Sequence, residues 1–460
     1  MSLWTAAEIA AATGGTATAD FSADGVSIDS RSIEPGDLFV ALAGVRDGHE
    51  FAAGALADGA AGLLASKPVD GPSVQVADTL KALEALGIAA RDRSSAQRCA
   101  VTGSVGKTSV TQAIAAGLAL AGPSHNSVKS YNNHIGVPLT LARMPKATRR
   151  AVFEIGMNHA DEITPLSKFV RPHAVAITTV GPVHIENFPD GEAGVALAKA
   201  EIFDGIEPGG IAVLNADNRW FDLLSDRARA AGARVWSFGA AEGCDARLTG
   251  FDVDGPRATV SATLHGQPLS YGLLQTGHHW GLNSLCTLLM LEAMEVDRPT
   301  ALAALAAFQP LAGRGAEKTI ARPGAPFVLI DESYNANPIS MIAGFRTLGA
   351  RKVTGRRIVA LTDMLELGPE GPAMHASLAA PIEAAGIELV FVAGPLMKSL
   401  WEALPATRRG GYAETAADLA PLIAAALEPG DVVMVKGSNG SRAGVIAAAL
   451  AALDSAGGGA

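Results

Sequence analysis

Lys107 and Thr108 close the string Val101-Thr-Gly-Ser-Val-Gly-Lys-Thr108, an order of residue types suited to holding a polyphosphate. Gly103 and Gly106 free the backbone to turn N–H groups toward phosphate oxygens. Lys107 brings a cation to the outer phosphates, and Thr108 offers a hydroxyl to Mg²⁺. A short strand opening at Cys99 is expected before the string, and Val110–Leu120 reads as a helix after it. The helix N-terminus would then add its dipole to the same anion site. One position departs from the phosphate-loop pattern G-x-x-x-x-G-K-[ST]: Val101 stands where the first glycine belongs. The loop (Thr102, Gly103, Ser104, Val105, Gly106, Lys107, Thr108 and Ser109) points to ATP but does not choose a reaction. Kinases, GTPases and ligases all use one. Asn215-Ala-Asp-Asn218 does not match the Asn-Lys-x-Asp signature of guanine recognition.

Four further sets of residues have chemistry to offer. Glu154 ends the apolar run Ala151–Ile155; a carboxylate at the mouth of a parallel sheet is placed for Mg²⁺, or is simply a solvated strand end. His184 follows the strand-like Ala174–Val180 and reads as a loop histidine or a ligand. Lys199 lies in a helical run, where an ordinary surface lysine is the simplest reading. Asn132 and Asn133 occupy a polar loop and read equally as turn residues or as ligand contacts. Spacing alone leaves these alternatives open.

The elements that must position these residues fall into three blocks of an α/β fold, 1–97, 98–313 and 314–460. In the first, short β-like runs (Gly25–Ile28, Asp37–Leu42) alternate with helical ones such as Phe51–Asp58. In the second, Ala151–Ile155, Ala174–Val180 and Ile211–Asn215 alternate with helical patterns, as in a parallel sheet. Gly250–Tyr271 alternates with turn residues and predicts a small antiparallel insertion or edge. In the third, Phe327–Ile330, Arg357–Thr362, Leu389–Ala393 and Asp431–Val435 predict a doubly wound, Rossmann-like unit.

The totals narrow the function classes. A chain of 460 residues is long enough for several cores. Its formal charge of −10 argues against nucleic acid as a partner. Cys99, Cys244 and Cys286 have neither disulfide nor zinc spacing and are expected as buried thiols in a reducing compartment. The start, MSLWTAAEIAAATGG, lacks the basic and apolar segments of a signal peptide. The Ala-rich stretches Ile423–Leu427 and Val445–Leu453 are too short to span a bilayer. A cytoplasmic protein without membrane insertion is expected, monomeric, with a disordered tail over Ser455–Ala460.

Over nearly its whole length the chain resembles the Mur ligases. The resemblance is carried by Asp29-Ser-Arg31, Gly36-Asp-Leu-Phe-Val-Ala-Leu42, Asp47-Gly-His49, the phosphate loop, Asn132-Asn-His-Ile-Gly-Val-Pro138, Glu154-Ile-Gly-Met-Asn158, Lys199-Ala-Glu-Ile-Phe203 and Gly277-His-His-Trp-Gly-Leu-Asn283. The third block adds Asp331-Glu-Ser-Tyr-Asn-Ala-Asn-Pro338, Met364-Leu-Glu-Leu-Gly368 and Lys436-Gly-Ser438. The strings around Asn132 and Tyr334 resemble those family members that add D-alanyl-D-alanine to a UDP-linked muramoyl tripeptide.

The resemblance implies three domains: a small UDP-substrate domain, a central ATPase domain and a C-terminal Rossmann-like domain, joined near Arg98 and Gly313 and closing as rigid bodies around the ligands. It implies phosphorylation of the tripeptide carboxylate by ATP and attack by the dipeptide amine, with Lys107, Glu154, His184 and Lys199 as the catalytic set. Two Mg²⁺ ions are implied, one on Thr108 and Glu154, the other on His184 and a Lys199 carbamylated by CO₂; Lys168 is the weaker candidate for that lysine. Asn283 is expected at adenine, and Arg314 and Asp331 at phosphate and ribose. Ser30, Arg31, Asp47, His49, Asn132 and Asn133 are expected on the UDP-substrate, and Tyr334, Asn335, Asn337 and Lys436 toward the dipeptide. Trp280 stands where the family carries Asn, and is either a packing residue or a stacking surface for adenine. A sibling ligase such as a folylpolyglutamate synthase, or a nucleotide switch that does not ligate, are the other readings.

Overall fold

In a computed structural model, which describes residues 2–44, 46–127, 130–255 and 257–454, the chain builds three α/β layers around three main sheets. The tail Ser455–Ala460 lies outside the described residues. Apolar strands alternate their side chains between two faces. In the strand Gln97–Thr102, Cys99 and Val101 enter one core while Ala100 enters the other. Ala151 and Phe153 likewise oppose Val152. A strand apolar on both faces must be covered on both, so helices lie on each side of the sheet. Val110, Ile114 and Leu118 of the helix Lys107–Leu120 fill the first face. Ile163, Leu166 and Val170 of the helix Ile163–Val170 fill the second.

The central sheet has nine strands, ordered 267–273, 257–264, 246–254, 234–239, 211–215, 174–177, 97–102, 150–154 and 124–126. All run parallel from 246–254 to 124–126, and the two beyond are antiparallel. The expected antiparallel segment is therefore an extension of the sheet's edge. The first strand in sequence, Gln97–Thr102, sits between 174–177 and 150–154. The chain leaves it to one side and later returns to the other, which opens a crevice at its carboxyl end.

The third block repeats the plan with six strands, 316–320, 327–332, 432–436, 357–362, 389–393 and 409–413, parallel except at 316–320. Its Ala-rich segments are the packed helices Ala416–Ala426 and Ala443–Ala451, which bury Leu419, Ile423, Ile446 and Leu450. Among the described residues no helix is long and apolar enough to cross a membrane. The first block carries a five-stranded sheet, 16–17, 73–75, 62–65, 37–40 and 25–27. Cys99 and Cys286 are buried free thiols, but Cys244 is only half-buried, because it lies in the turn before the strand Ala246–Asp254. Trp280 is a packing residue: it is buried, with its ring 5.6 Å from that of Phe308.

Candidate functional site

The loop after Gln97–Thr102 turns where glycine permits it. Gly103 has φ 147° and Gly106, which precedes the helix Lys107–Leu120, has φ 86°. A Cβ on Gly103 would lie 2.0 Å from Thr178 Oγ1, so only glycine fits. Thr178 in turn donates to the carbonyl of Val105 at 2.5 Å, and Ser104 Oγ exchanges hydrogen bonds with the backbone of Gly181. Thus the segment after the strand 174–177 holds the loop in shape. Lys107 Nζ donates to the Gly103 carbonyl at 2.7 Å. Burial holds its pKa below the usual lysine range, against the opposing pull of Glu154. An anionic phosphate here would favour the charged form.

Glu154, at the end of the strand Arg150–Glu154, is 1% exposed. Its Oε1 accepts from Asn132 Nδ2 at 2.7 Å, while Oε2 is buried with no hydrogen-bond partner. A buried carboxylate oxygen without a partner carries a desolvation penalty that a cation would offset. Thr108 Oγ1 lies 3.4 Å from Ser130 Oγ in the same cleft. His184 lines the cleft as well, with Nδ1 2.6 Å from Glu366 Oε2, a close contact off the line of an ideal hydrogen bond. Lys199, in the last turn of Glu192–Ala200, is 2% exposed and pairs with no carboxylate among the described residues. Burial, reinforced by the charge of Lys107, holds its pKa well below the usual lysine range. Its neighbours are therefore Lys107 and His184.

The residues present fit Mg²⁺. No three His, Cys, Asp or Glu side chains converge among the described residues. Mg²⁺ does not require that, since it keeps waters and takes phosphate oxygens beside one or two carboxylates. Glu154 Oε2 is one such oxygen.

The cleft has a volume of about 580 Å³ and is closed on its far side by the third block. Arg314, Glu332, Tyr334, Asn335, Asn337 and Lys436 all line it. Arg314 stacks on Tyr334, 4.1 Å from its ring centre, and the Tyr334 hydroxyl donates to Ser130 Oγ at 2.8 Å. Buried Lys436 donates to Glu332 Oε2 and the Asn335 carbonyl, each at 3.1 Å. Asn337 caps the helix Pro338–Ala350, accepting from Ser340 N at 2.9 Å. Asn283 stands at the phosphate loop itself: a Cβ on Gly106 would lie 3.3 Å from its Oδ1.

Three family models match the chain: a Mur ligase catalytic domain over residues 22–139, a Mur ligase middle domain over 101–291, and a Mur ligase glutamate ligase domain over 318–439. The chain is 36% identical over 380 residues to the UDP-N-acetylmuramoyl-tripeptide–D-alanyl-D-alanine ligase of Escherichia coli, covering 82% of each chain. The chain belongs to the Mur ligase family. The same-named ligase of Bacillus subtilis is 30% identical, covering 91% of each chain. A crystal structure of MurF from Acinetobacter baumannii superposes with a TM-score of 0.85 at 27% identity, covering 98% of this chain and 99% of that one.

For this Mur ligase the structure gathers most, not all, of the residues expected from the sequence. Ser104 to Ser109, Asn132, Glu154, His184, Asn283, Arg314, Tyr334, Asn335, Asn337 and Lys436 line one cleft. Asp331 does not. Its carboxylate accepts from Gly313 N, Ser333 N and Ser333 Oγ, and so braces the turn between the second and third blocks. The next residue, Glu332, faces the cleft instead. The signal was in the alternation: Phe327 and Leu329 share one buried face with Asp331, and Ile330 shares the other with Glu332. Thr102, Gly103 and Lys199 are not among the residues that line the cleft. Asn132 is placed on Glu154, and Asn133 caps the helix Gly136–Ala142, so neither lies in the first block with the other UDP-substrate candidates.

Those candidates form a separate surface. Arg31 is exposed and paired through two hydrogen bonds to Asp29, with Ser30 in the same short turn. Asp47 accepts from Lys67 and His49, which hold its carboxyl below the usual range. His49 Nε2 accepts from Ser66 N at 2.9 Å, which leaves Nδ1 to donate to Asp47. Sequence reasoning did not single out Ser130, Thr178, His279 and Glu332, which line the cleft, or Glu366, which meets His184; no local string reports these placements.

Proposed function

We propose that the chain is an ATP-dependent ligase that joins D-alanyl-D-alanine to the terminal carboxylate of a UDP-N-acetylmuramoyl tripeptide, through an acyl phosphate. The observation that carries this reading is the single cleft in which Lys107, Thr108 and Glu154 from the second block face Arg314, Tyr334, Asn335 and Lys436 from the third. A reaction between two anions, carboxylate and γ-phosphate, needs fixed positive charge where they meet. Lys107 and Arg314 supply it from opposite walls. Thr108 and Glu154 would hold one Mg²⁺, and His184 and Lys199 the other, where bound Mg²⁺ would supply charge to offset that of the phosphates. Glu332 takes the ribose role expected of Asp331, since its carboxylate is the one that faces the cleft. Asn335 and Lys436 orient the dipeptide so that its free amine attacks the acyl carbon. The C–N bond forms, the C–O bond to phosphate breaks, and the amine proton leaves with the phosphate.

Lys199 acts as a carbamate. Burial favours its neutral amine, whose lone pair adds to CO₂ with release of a proton. The product places carboxylate oxygens where an ammonium would repel a metal. Lys199→Arg cannot form it and should be inactive while still binding ATP.

The division into a UDP-substrate domain (1–97), an ATPase domain (98–313) and a ligase domain (314–460) is part of this reading, as are a monomer and a cytoplasmic setting, where ATP is supplied. The deciding experiment measures phosphate release. It should require ATP, UDP-tripeptide and D-alanyl-D-alanine together. Release with a folate and glutamate instead would favour the sibling reading, and release with ATP alone would favour a nucleotide switch.

A further inference from the structure

His184 and Glu366 meet from two loops, each anchored in its own block: Val183 and Phe188 are buried beside the first, Met364 and Leu367 beside the second. His184 has φ 54° and Glu366 has φ 62°, both in the left-handed region that non-glycine residues seldom adopt. Each opens into a short 3₁₀ turn, Ile185–Asn187 and Gly368–Glu370. The turns pack together: Gly368, also at positive φ, comes so close that a Cβ there would lie 3.1 Å from Glu186 Cβ. Beyond this contact the Glu366 side chain makes no hydrogen bond or ion pair among the described residues, and it is half-exposed. Among the charges acting on His184, Glu366 is the acid, while Lys107 and Lys199 are cations.

We propose that Glu366 is a positioning residue for His184, delivered by the third block. From the 2.6 Å contact a small rotation of either side chain lets the carboxylate accept the Nδ1 proton, which fixes the imidazole tautomer and ring plane and leaves the Nε2 lone pair for a metal in the cleft. The inference rests on the proposed metal role of His184 and adds a condition to it. His184 is oriented only while the third block is docked, so the second metal position is completed by closure rather than by folding. ATP bound to an open molecule then meets an incomplete site, which limits wasteful hydrolysis.

The test uses full-length protein with ¹⁵N-labelled histidine, closed by ADP and UDP-tripeptide but without metal, at pH 8. The wild type should show one His184 tautomer, protonated at Nδ1. Glu366→Ala should show a mixture, and Glu366→Gln, whose amide oxygen still accepts, should keep the single tautomer. Mn²⁺ affinity in the presence of ADP, read by electron paramagnetic resonance, should fall about 10–100-fold in Glu366→Ala, with the KM for ATP within about twofold of wild type. An unchanged tautomer and unchanged Mn²⁺ affinity in Glu366→Ala would overturn the proposal. If His184→Ala binds as much Mn²⁺ as wild type, the metal role itself fails. That result is separable, because the tautomer is read with no metal present.

Discussion

The two seams between the three blocks are built from opposite materials. At the first, the helix Gly136–Ala142 sends Leu139 and Ala142 into the core that holds Trp4, Leu38, Leu83 and Leu86. Trp4 Nε1 donates across it to the Ala142 carbonyl at 2.8 Å, and Arg143 Nε donates to the Val26 carbonyl at 2.5 Å. At the second, polar pairs predominate, His184 with Glu366, Tyr334 with Ser130 and Thr276 with Glu317, beside a smaller apolar contact of Ile339 on Gly181. An apolar seam exposes oil to water when it opens, at about 25 cal/mol per Å². A polar seam exchanges its hydrogen bonds for water at small net cost. The expectation that three blocks close on one another as rigid bodies is thereby sharpened: the first two should move as one piece, and the third should close on them. The cleft proposed for ATP is lined from both sides of the second seam.

The largest effect should come from a residue that lines the cleft at the second seam but bonds only within its own block, since the Lys107 amine donates to the Gly103 carbonyl. Lys107→Ala should lower kcat by roughly 3–4 kcal/mol of transition-state stabilisation, the scale of a key electrostatic group, with an unchanged unfolding midpoint. Single-turnover phosphate release measures the first and urea denaturation the second. A coupled loss of stability would mean that Lys107 braces the seams as well as the phosphates.

The next effect lies beneath the first seam. His125 Nε2 donates to the Thr140 carbonyl at 2.7 Å, and Thr140 belongs to the seam helix Gly136–Ala142. Burial pushes the His125 pKa down to about 4. The unfolded chain takes up this proton near pH 6.5 and the folded chain only near 4. Stability is therefore full above about pH 6.5 and falls as pH drops through that window, by on the order of 3 kcal/mol in all. His125→Gln, whose amide can still donate, should flatten this part of the urea-midpoint profile between pH 7 and pH 4. An unchanged profile would show that His125 is protonated in the folded protein.

Why the sequence disclosed some of this and not the rest follows from the range of each interaction. The phosphate loop, the strand that ends at Glu154 and the antiparallel edge are written in neighbouring residues, and each was legible from period and turn chemistry. Ile211–Asn215, Arg357–Thr362 and Leu389–Ala393 are strands with the bounds expected. Phe51–Asp58, expected as helical, is the helix Ala52–Ala57; the 3₁₀ turn Gly48–Phe51 that leads into it, held by Asp47 accepting from His49 N, was not expected. Lys199 looked like a surface lysine, since nothing local to it reports that the strand and loop partners above it bury its amine. Asp331 and Glu332 are adjacent acids; the strand's alternation puts them on opposite faces, but which face meets the cleft is set by how the third block packs on the second. The first seam was illegible for the same reason: its two helices lie far apart in sequence, and no local pattern links them.

A direct break of the first seam is Gly87→Val. Gly87 lies on the helix Thr79–Asp92, and a Cβ there would sit 2.9 Å from the Pro138 carbonyl oxygen and 3.2 Å from Leu141 Cβ. The backbone oxygen cannot rotate away, so the two helices must part. Overpacking of this kind costs about 1–3 kcal/mol, to be read as a lower urea midpoint, with kcat held within about twofold while the protein is folded. A stable variant with altered kcat would show that the first seam flexes during turnover.

The smallest effect tests the second seam, with Tyr334→Phe. The substitution deletes the hydroxyl that donates to Ser130 Oγ at 2.8 Å and keeps the ring on which Arg314 stacks at 4.1 Å. Tyr334 is among the exposed large side chains, so water can replace its partner on either side. The net worth of such a hydrogen bond is about 0.5–1.5 kcal/mol, and it is present only when the third block is docked. The urea midpoint should therefore stay put, while the closed population falls. Small-angle scattering with ATP analogue and UDP-tripeptide should show a larger mean radius than wild type, and kcat should drop about two- to tenfold. Ser130→Ala should give the same result, and the double variant should add little, since both remove one bond. If Tyr334→Phe instead lowers the urea midpoint as Gly87→Val does, the second seam is a structural joint like the first, and closure must be sought within the blocks rather than between them.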